Sequence, residues 1–254
     1  MFKGKRGSSL LEIKQLTGGY PAQSSVIFDI SFSVHPGEMV GLIGLNGAGK
    51  STTIKQILGF LRPRSGQILF NGKSLEQDPT QFRKAVSYIP ETPYLYTELT
   101  LREHLELTAL AYDLERSTFE SRTERLLDLF QMKKRLEWYP STFSKGMRQK
   151  VMIMCAFLVS PSLLIVDEPF VGLDPLAIHS LLELMEELKK EGTGILLSTH
   201  VLATAEKHCN RFVLLKDGRI ALQGTLGEMR EQADLQGATL DELFIYASQR
   251  DDPS

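Results

Sequence analysis

The stretch Gly44-Leu-Asn-Gly-Ala-Gly49-Lys50-Ser51 decides how the rest of this chain is read. The apolar run 39–43 before it reads as a strand buried on both faces. After Lys50, apolar residues at Ile54, Ile57, Leu58 and Leu61 recur at helical spacing, and Arg62-Pro63 is the expected stop. Strand, glycine-rich loop and helix in that order fit the pattern GxxxxGK[ST]. The residue types are those a phosphate demands. Glycines at 44, 47 and 49 let the loop through Leu45, Asn46 and Ala48 curl its backbone N–H groups around an anion without side-chain collision. The helix N-terminus adds partial positive charge. Lys50 places an ammonium on the β- and γ-phosphates, Ser51 offers a hydroxyl to Mg²⁺, and Thr52 lies close behind. The loop alone implies nucleotide binding and leaves the family open.

A second stretch, Leu163-Leu-Ile-Val-Asp167-Glu168-Pro169, is an apolar strand ending in two carboxylates. In open α/β sheets ligands gather at the carboxyl ends of the strands. Asp167 is therefore expected near the phosphate loop, holding Mg²⁺ through water. Glu168 is the natural general base, polarising the water that attacks the γ-phosphate. A strand end with merely solvated acids is the alternative, and the phosphate loop weighs against it.

Composition sets the frame. The chain has 254 residues, 42% of them hydrophobic and 24% charged, enough for one sizeable α/β domain with a full core. A net charge of −2 gives no general attraction to nucleic acid, so no nucleic-acid partner is expected. Cys155 and Cys209 stand in no metal-ligand or CxxC spacing and read as reduced thiols. The longest apolar run, 151–159, is too short to cross a bilayer, so any role at a membrane has to come through a partner. Residues 1–9 read as a flexible leader.

Strand patterns at 11–16, 30–34, 65–73, 86–89, 163–166 and 194–198 alternate with helical ones in the two flanks. Asn71-Gly72 and Asp217-Gly218 are hairpin signals. From Thr100-Leu-Arg-Glu103, a capping box, helical patterns dominate to about residue 159. The expected architecture is a mainly parallel α/β core with an antiparallel β flank and an inserted helical subdomain at about 93–160. Residues 227–254 form a helical tail, either a dimer contact or a loose helix.

Further motifs make the assignment specific. Phe143-Ser144-Lys145-Gly146-Met147-Arg148-Gln149 lies about 20 residues before Asp167 and resembles the LSGGQ signature of ATP-binding-cassette (ABC) ATPases. Tyr20 resembles that family's adenine-stacking aromatic, Gly172-Leu173-Asp174 its D-loop, and Ser198-Thr199-His200 its switch histidine. The joint pattern spans roughly residues 10–225, and the cassette is expected over 10–226. Strings such as Ile89-Pro-Glu-Thr-Pro93 and Asp167-Glu-Pro-Phe170 look like the bacterial Ecs-type branch.

The resemblance implies an ATP-hydrolysing transporter subunit on the cytoplasmic face of the cell membrane. It would use ATP and Mg²⁺, and two copies would close head to tail, a homodimer being the simplest form. Each ATP would lie between one copy's phosphate loop and the other's Ser144 and Gly146, whose hydroxyl and helix N-terminus suit a γ-phosphate. Glu168, His200 and Lys50 would be catalytic. Ser51, Glu91 and Asp167 would serve the metal, and Asp174 the dimer. Glu91 stands where the family usually has Gln, and its charge beside a triphosphate is unfavourable unless the metal offsets it. The membrane part would be a separate multi-span permease, docking after Glu91 at the aromatic stretch through Tyr94 and Tyr96, where packing inside the helical subdomain is the competing reading. A soluble non-transport ABC ATPase and a nucleotide-gated regulator are the alternative functions. The former lacks support because the insert has no long coiled-coil arms, and intact Lys50, Asp167, Glu168 and His200 weigh against the latter.

Overall fold

The computed structural model describes residues 9–21 and 24–249. In chain order the strands and helices are β1 (Leu11–Gly18), β2 (Ile27–Val34), β3 (Met39–Gly44), α1 (Lys50–Ile57), β4 (Ser65–Phe70), β5 (Lys73–Ser74), α2 (Pro79–Ala85), β6 (Val86–Ile89), α3 (Leu101–Ala111), α4 (Arg116–Leu129), α5 (Lys145–Leu158), β7 (Leu163–Asp167), α6 (Pro175–Lys190), β8 (Gly194–Ser198), α7 (Leu202–His208), β9 (Arg211–Lys216), β10 (Arg219–Gly224), α8 (Leu226–Ala233) and α9 (Leu240–Gln249). The leader expected over residues 1–9 lies, Ser9 apart, outside the described residues, as does 250–254 of the tail.

Two compact units result. One holds the described residues up to Phe82 and from Gly194 onward; the other is Arg83–Thr193.

In the first unit an antiparallel sheet runs β2-β1-β4-β5, and a second set of strands runs β10-β9-β3-β8. β3 lies parallel to both neighbours, Gly41 facing Leu197 on one side and Phe212 on the other. β3 is buried along its whole length, as its unbroken apolar run requires. The hairpin signals hold: Asn71-Gly72 and Asp217-Gly218 each place two successive residues at positive φ, the geometry of a type I′ turn.

Helix α1 departs from expectation by ending four residues early. Its stop is Gly59, at φ 75°, not Arg62-Pro63. The N–H groups of Gly59 and Phe60 return to the carbonyls of Gln56 and Lys55, closing the helix in a left-handed glycine turn.

The C-terminal helices are packed rather than loose. Met229, Leu240 and Leu243 are fully buried in one cluster with Phe212, Leu214 and Leu222. Each such side chain contributes about 1.5–3 kcal/mol of burial. Thr225 with Glu228, and Thr239 with Glu242, cap α8 and α9 reciprocally.

The second unit carries the parallel pair β6 and β7, in register from Val86 opposite Leu163 to Ile89 opposite Val166. Its helices α3, α4 and α5 lie between those two strands in sequence. Thr100 caps α3 with the reciprocal Glu103 bond, as the capping box predicts. Ser144 caps α5, and Asp174, with Pro175 at the first helical position, caps α6. Parallel strands, an antiparallel flank and a helical insert make up the α/β architecture expected from sequence.

Candidate functional site

The residues singled out from sequence divide between the two units. Tyr20, residues 44–52 and His200 belong to the first. Glu91, Ser144, Gly146, Asp167, Glu168 and Asp174 belong to the second.

In the first unit the loop leaves the end of β3 and enters α1 without a side-chain cap. Gly49 takes the N-cap position at φ 106°, a conformation that a side chain opposes. A β-carbon there would also stand 2.5 Å from a methyl of Ile27. Gly47 is left-handed too (φ 87°), yet nothing lies within 4 Å of where its β-carbon would be. The loop therefore presents bare backbone, and the N–H groups that open α1 take no side-chain cap. Lys50 is only 7% exposed. Its ammonium donates to the carbonyls of Gly44 at 2.7 Å and Leu45 at 3.3 Å, so the loop's own oxygens satisfy a buried cation. Ser51 is half-buried and Thr52 buried. Leu45, Asn46 and Gly47 are exposed, Ala48 buried.

Tyr20 follows β1. Lys55, on the outer face of α1, donates to its hydroxyl at 3.1 Å and stands 5.4 Å from its ring centroid. Sequence reading found the tyrosine and missed the lysine, whose contact spans 35 positions. His200 is exposed beyond β8, where buried Thr199 accepts the Val201 N–H at 3.1 Å and sets the turn.

In the second unit Asp167 ends β7, and Glu168 follows it. Both are buried. Glu168 has φ 45°, a left-handed backbone at a non-glycine residue that costs on the order of 1–3 kcal/mol. Such strain persists where the surroundings fix it, and it sits here on the proposed base. Nearby, Tyr88 on β6 has its phenol held above the ordinary tyrosine range, first by burial and then by the carboxylates of Asp167 and Glu91. Glu91 itself is exposed.

Helix α5 ties the remaining motifs together. Ser144 Oγ accepts the Met147 N–H at 3.2 Å, so the hydroxyl caps the helix and keeps its proton to donate. A β-carbon on Gly146 would meet the Gly172 carbonyl oxygen at 2.2 Å. Gly146 is thus demanded by close packing against the loop that leads to Asp174, a reason that spacing in sequence does not reveal. Two neighbouring residues add to the arrangement. Gln149, buried, donates to the Pro90 carbonyl at 3.1 Å, next to Glu91. Lys150 pairs with Asp174 at 2.7 Å. That pairing, followed by the Ala177 N–H bond, holds the Asp174 carboxyl below the usual carboxylate range. Sequence reading placed Gln149 in the signature stretch without its contact and passed over Lys150, because helix positions carry no signal of what they meet elsewhere.

A histidine outside the quoted motifs also has a defined place. His104 on α3 is buried, with its ring nitrogens at 2.7 Å from the Thr100 carbonyl and 3.0 Å from the Tyr96 N–H.

The model of the ABC transporter family matches residues 27–171. An ABC-type transporter ATP-binding protein of Bacillus subtilis (strain 168), EcsA, is 56% identical over 96% of this chain and 98% of its own length. YthP of the same organism, described as an uncharacterized ABC transporter ATP-binding protein, is 42% identical over 96% and 99%. A solved ATP-binding subunit of an ABC transporter superposes with a TM-score of 0.91 at 57% identity, covering 94% of this chain and 99% of that one. Motifs, fold and relatives agree: the chain belongs to the ABC transporter family, as one of its ATP-binding, ATP-hydrolysing subunits.

Proposed function

We propose that this subunit powers its transporter by closing head to tail on a second copy around two ATP molecules, with the residues divided as follows. Backbone N–H groups of residues 44–49, together with Lys50, grip the phosphates of one ATP, and Thr52 completes the nucleotide-binding set behind Ser51. Tyr20 stacks on the adenine. Ser144 and Gly146 of the opposite copy meet the γ-phosphate at the N-terminus of α5. Glu168 takes the proton of the attacking water, and His200 holds the γ-phosphate from the far side. Asp174 stands at the contact between copies.

The observation that carries this reading is Lys50, a buried ammonium on a glycine loop that opens a helix without a side-chain cap. An anionic ligand would replace the loop carbonyls as its partner and satisfy the helix N-terminus at once.

The chemistry of the donors also fits Mg²⁺. Ser51, Asp167 and Glu91 supply hard oxygen atoms. Among the described residues no group of three or more acidic, histidine or cysteine side chains forms a closed cage. Mg²⁺ takes few protein ligands and completes its shell with water and substrate phosphates. When bound, it offsets the phosphate charge, including any repulsion from Glu91.

No helix among the described residues is long and apolar enough to cross a membrane. A separate multi-span permease on whose cytoplasmic side this subunit sits is the partner we assign. The exposed Tyr94 and Tyr96 offer it an aromatic docking surface. The deciding experiment follows phosphate release and particle mass in Mg-ATP. Glu168→Gln should bind ATP, stop hydrolysis and accumulate as a dimer. A variant that stays monomeric at saturating Mg-ATP, even beside its permease, would overturn the reading.

A further inference from the structure

The aromatic stretch before α3 is held by one imidazole. Residues 93–99 have no regular secondary structure apart from a turn at 97–98. Tyr94 is 80% exposed and Tyr96 63% exposed, so the rings themselves are not anchored by burial. Among the described residues, a single hydrogen bond leaves this strap: the Tyr96 N–H donates to Nε2 of His104 at 3.0 Å. Half-buried Pro93, Leu95 and Leu99 supply the rest of its hold.

The partners of His104 define its protonation state. Nδ1 lies 2.7 Å from the Thr100 carbonyl oxygen, which can only accept, so Nδ1 carries the proton. Nε2 receives an N–H and therefore keeps its lone pair. The ring is the neutral Nδ1–H tautomer, assigned from its neighbours. A second proton, on Nε2, would point at the Tyr96 N–H and remove the one hydrogen bond that the strap makes outward. The other titratable groups beside His104 keep their own charge states. Glu103, on the same helix, is kept anionic by its bonds to the Thr100 N–H and hydroxyl. The Cys155 thiol, on α5, is pushed up to about 11 by burial. Tyr96 contributes only its ring, 6.1 Å away.

We infer that His104 is the positioning residue of the aromatic strap: neutral, it presents Tyr94 and Tyr96 in one fixed arrangement, and protonated, it lets them go. This rests on the reading of the strap as the surface that meets the permease, and it adds a proton-dependent hold on that contact. Engagement with the membrane subunit then weakens when this imidazole takes up a second proton on acidification. The ATP-holding residues are not involved.

Two variants separate a positioning role from general damage. Glutamine at 104 places an acceptor near the position of Nε2 and can still receive the Tyr96 N–H. Asparagine is shorter, reaches only Thr100 and leaves Tyr96 unbonded. On the intact chain, amide exchange at Tyr96 should be about tenfold faster in His104→Asn than in wild type, and near wild type in His104→Gln. Corrected for intrinsic exchange, the wild-type rate should climb on acidification while His104→Gln stays flat. Imidazole ¹⁵N shifts should report the Nδ1–H tautomer at neutral pH. Equal exchange in the two variants, or a wild-type rate indifferent to pH, would overturn the inference and leave the docking surface itself untouched. ATP turnover of the transporter complex, purified through a tag on this chain, separates the two claims. A drop in His104→Asn but not in His104→Gln supports both. A loosened strap with unchanged turnover in the complex means that the strap is not the docking surface.

Discussion

The phosphate loop and the segment at Ser144 both open a helix, and in the proposed function each offers that N-terminus to an anion. The loop does so with backbone alone. Gly49 caps α1 without a side chain, at a left-handed φ that leaves no room for a β-carbon beside Ile27. The segment at Ser144 does so by tertiary support. Gly146 fits under the Gly172 carbonyl, Gln149 holds Pro90, and Lys150 holds Asp174. The first is made of bare backbone and the second of side-chain contacts between distant segments. They should therefore respond differently to substitution.

The largest effects come from the two sides of the chemistry. Lys50→Ala and Glu168→Gln should each lower steady-state phosphate release by on the order of 10²–10⁴-fold. They should part in binding, with ATP retained by Glu168→Gln and lost by Lys50→Ala in a titration calorimeter. Equal binding in both would deny Lys50 its proposed grip.

Next comes the contrast between two glycines. Alanine at 146 forces its β-carbon against a backbone oxygen, and shifts of that kind cost about 1–3 kcal/mol. Alanine at 47 meets no atom and bears only the left-handed strain, about 1–2 kcal/mol. Thermal unfolding should rank Gly146→Ala below Gly47→Ala, and the reverse order would show the Gly172 contact to be slack.

The ion pair is worth less. Asp174 is half-exposed, so Lys150→Met should cost about 0.5 kcal/mol, after allowing for solvent screening. The sign with pH is fixed by direction. The folded carboxyl titrates below its unfolded value, so the contribution is complete above the ordinary carboxylate range and fades as pH falls through the folded value. Wild type and Lys150→Met should therefore converge in stability in strongly acid solution and differ at neutrality.

The smallest effect tests the base-stacking end. Tyr20→Phe and Lys55→Met each remove the same 3.1 Å bond, and each should weaken ATP binding by about two- to threefold. Made together they should do little more than either alone. Additive losses would mean that Lys55 acts on the nucleotide by another route.

What could be read without coordinates follows the same division. The order of residues along 39–51 already contains a strand, a loop and a helix start, because glycine placement and apolar spacing are local properties. The carboxylates at 167 and 168, the Thr100 capping box and the two hairpin turns were legible for that reason. Even there, the stop of α1 was misplaced, since Gly59 competes with Pro63 as a terminator and a left-handed glycine needs no proline. The resemblance to ABC ATPases likewise rested on ordered motifs that sequence displays directly.

Tertiary structure alone decided why Gly146 must be glycine, what Gln149 and Lys150 hold, and that His104 fastens an exposed strap. These are facts about atoms brought within a few ångströms across separations of up to 59 positions, as from Pro90 to Gln149. A hydrogen bond or a steric limit acts on distance in space. No pattern in the chain records it until the fold brings the partners together.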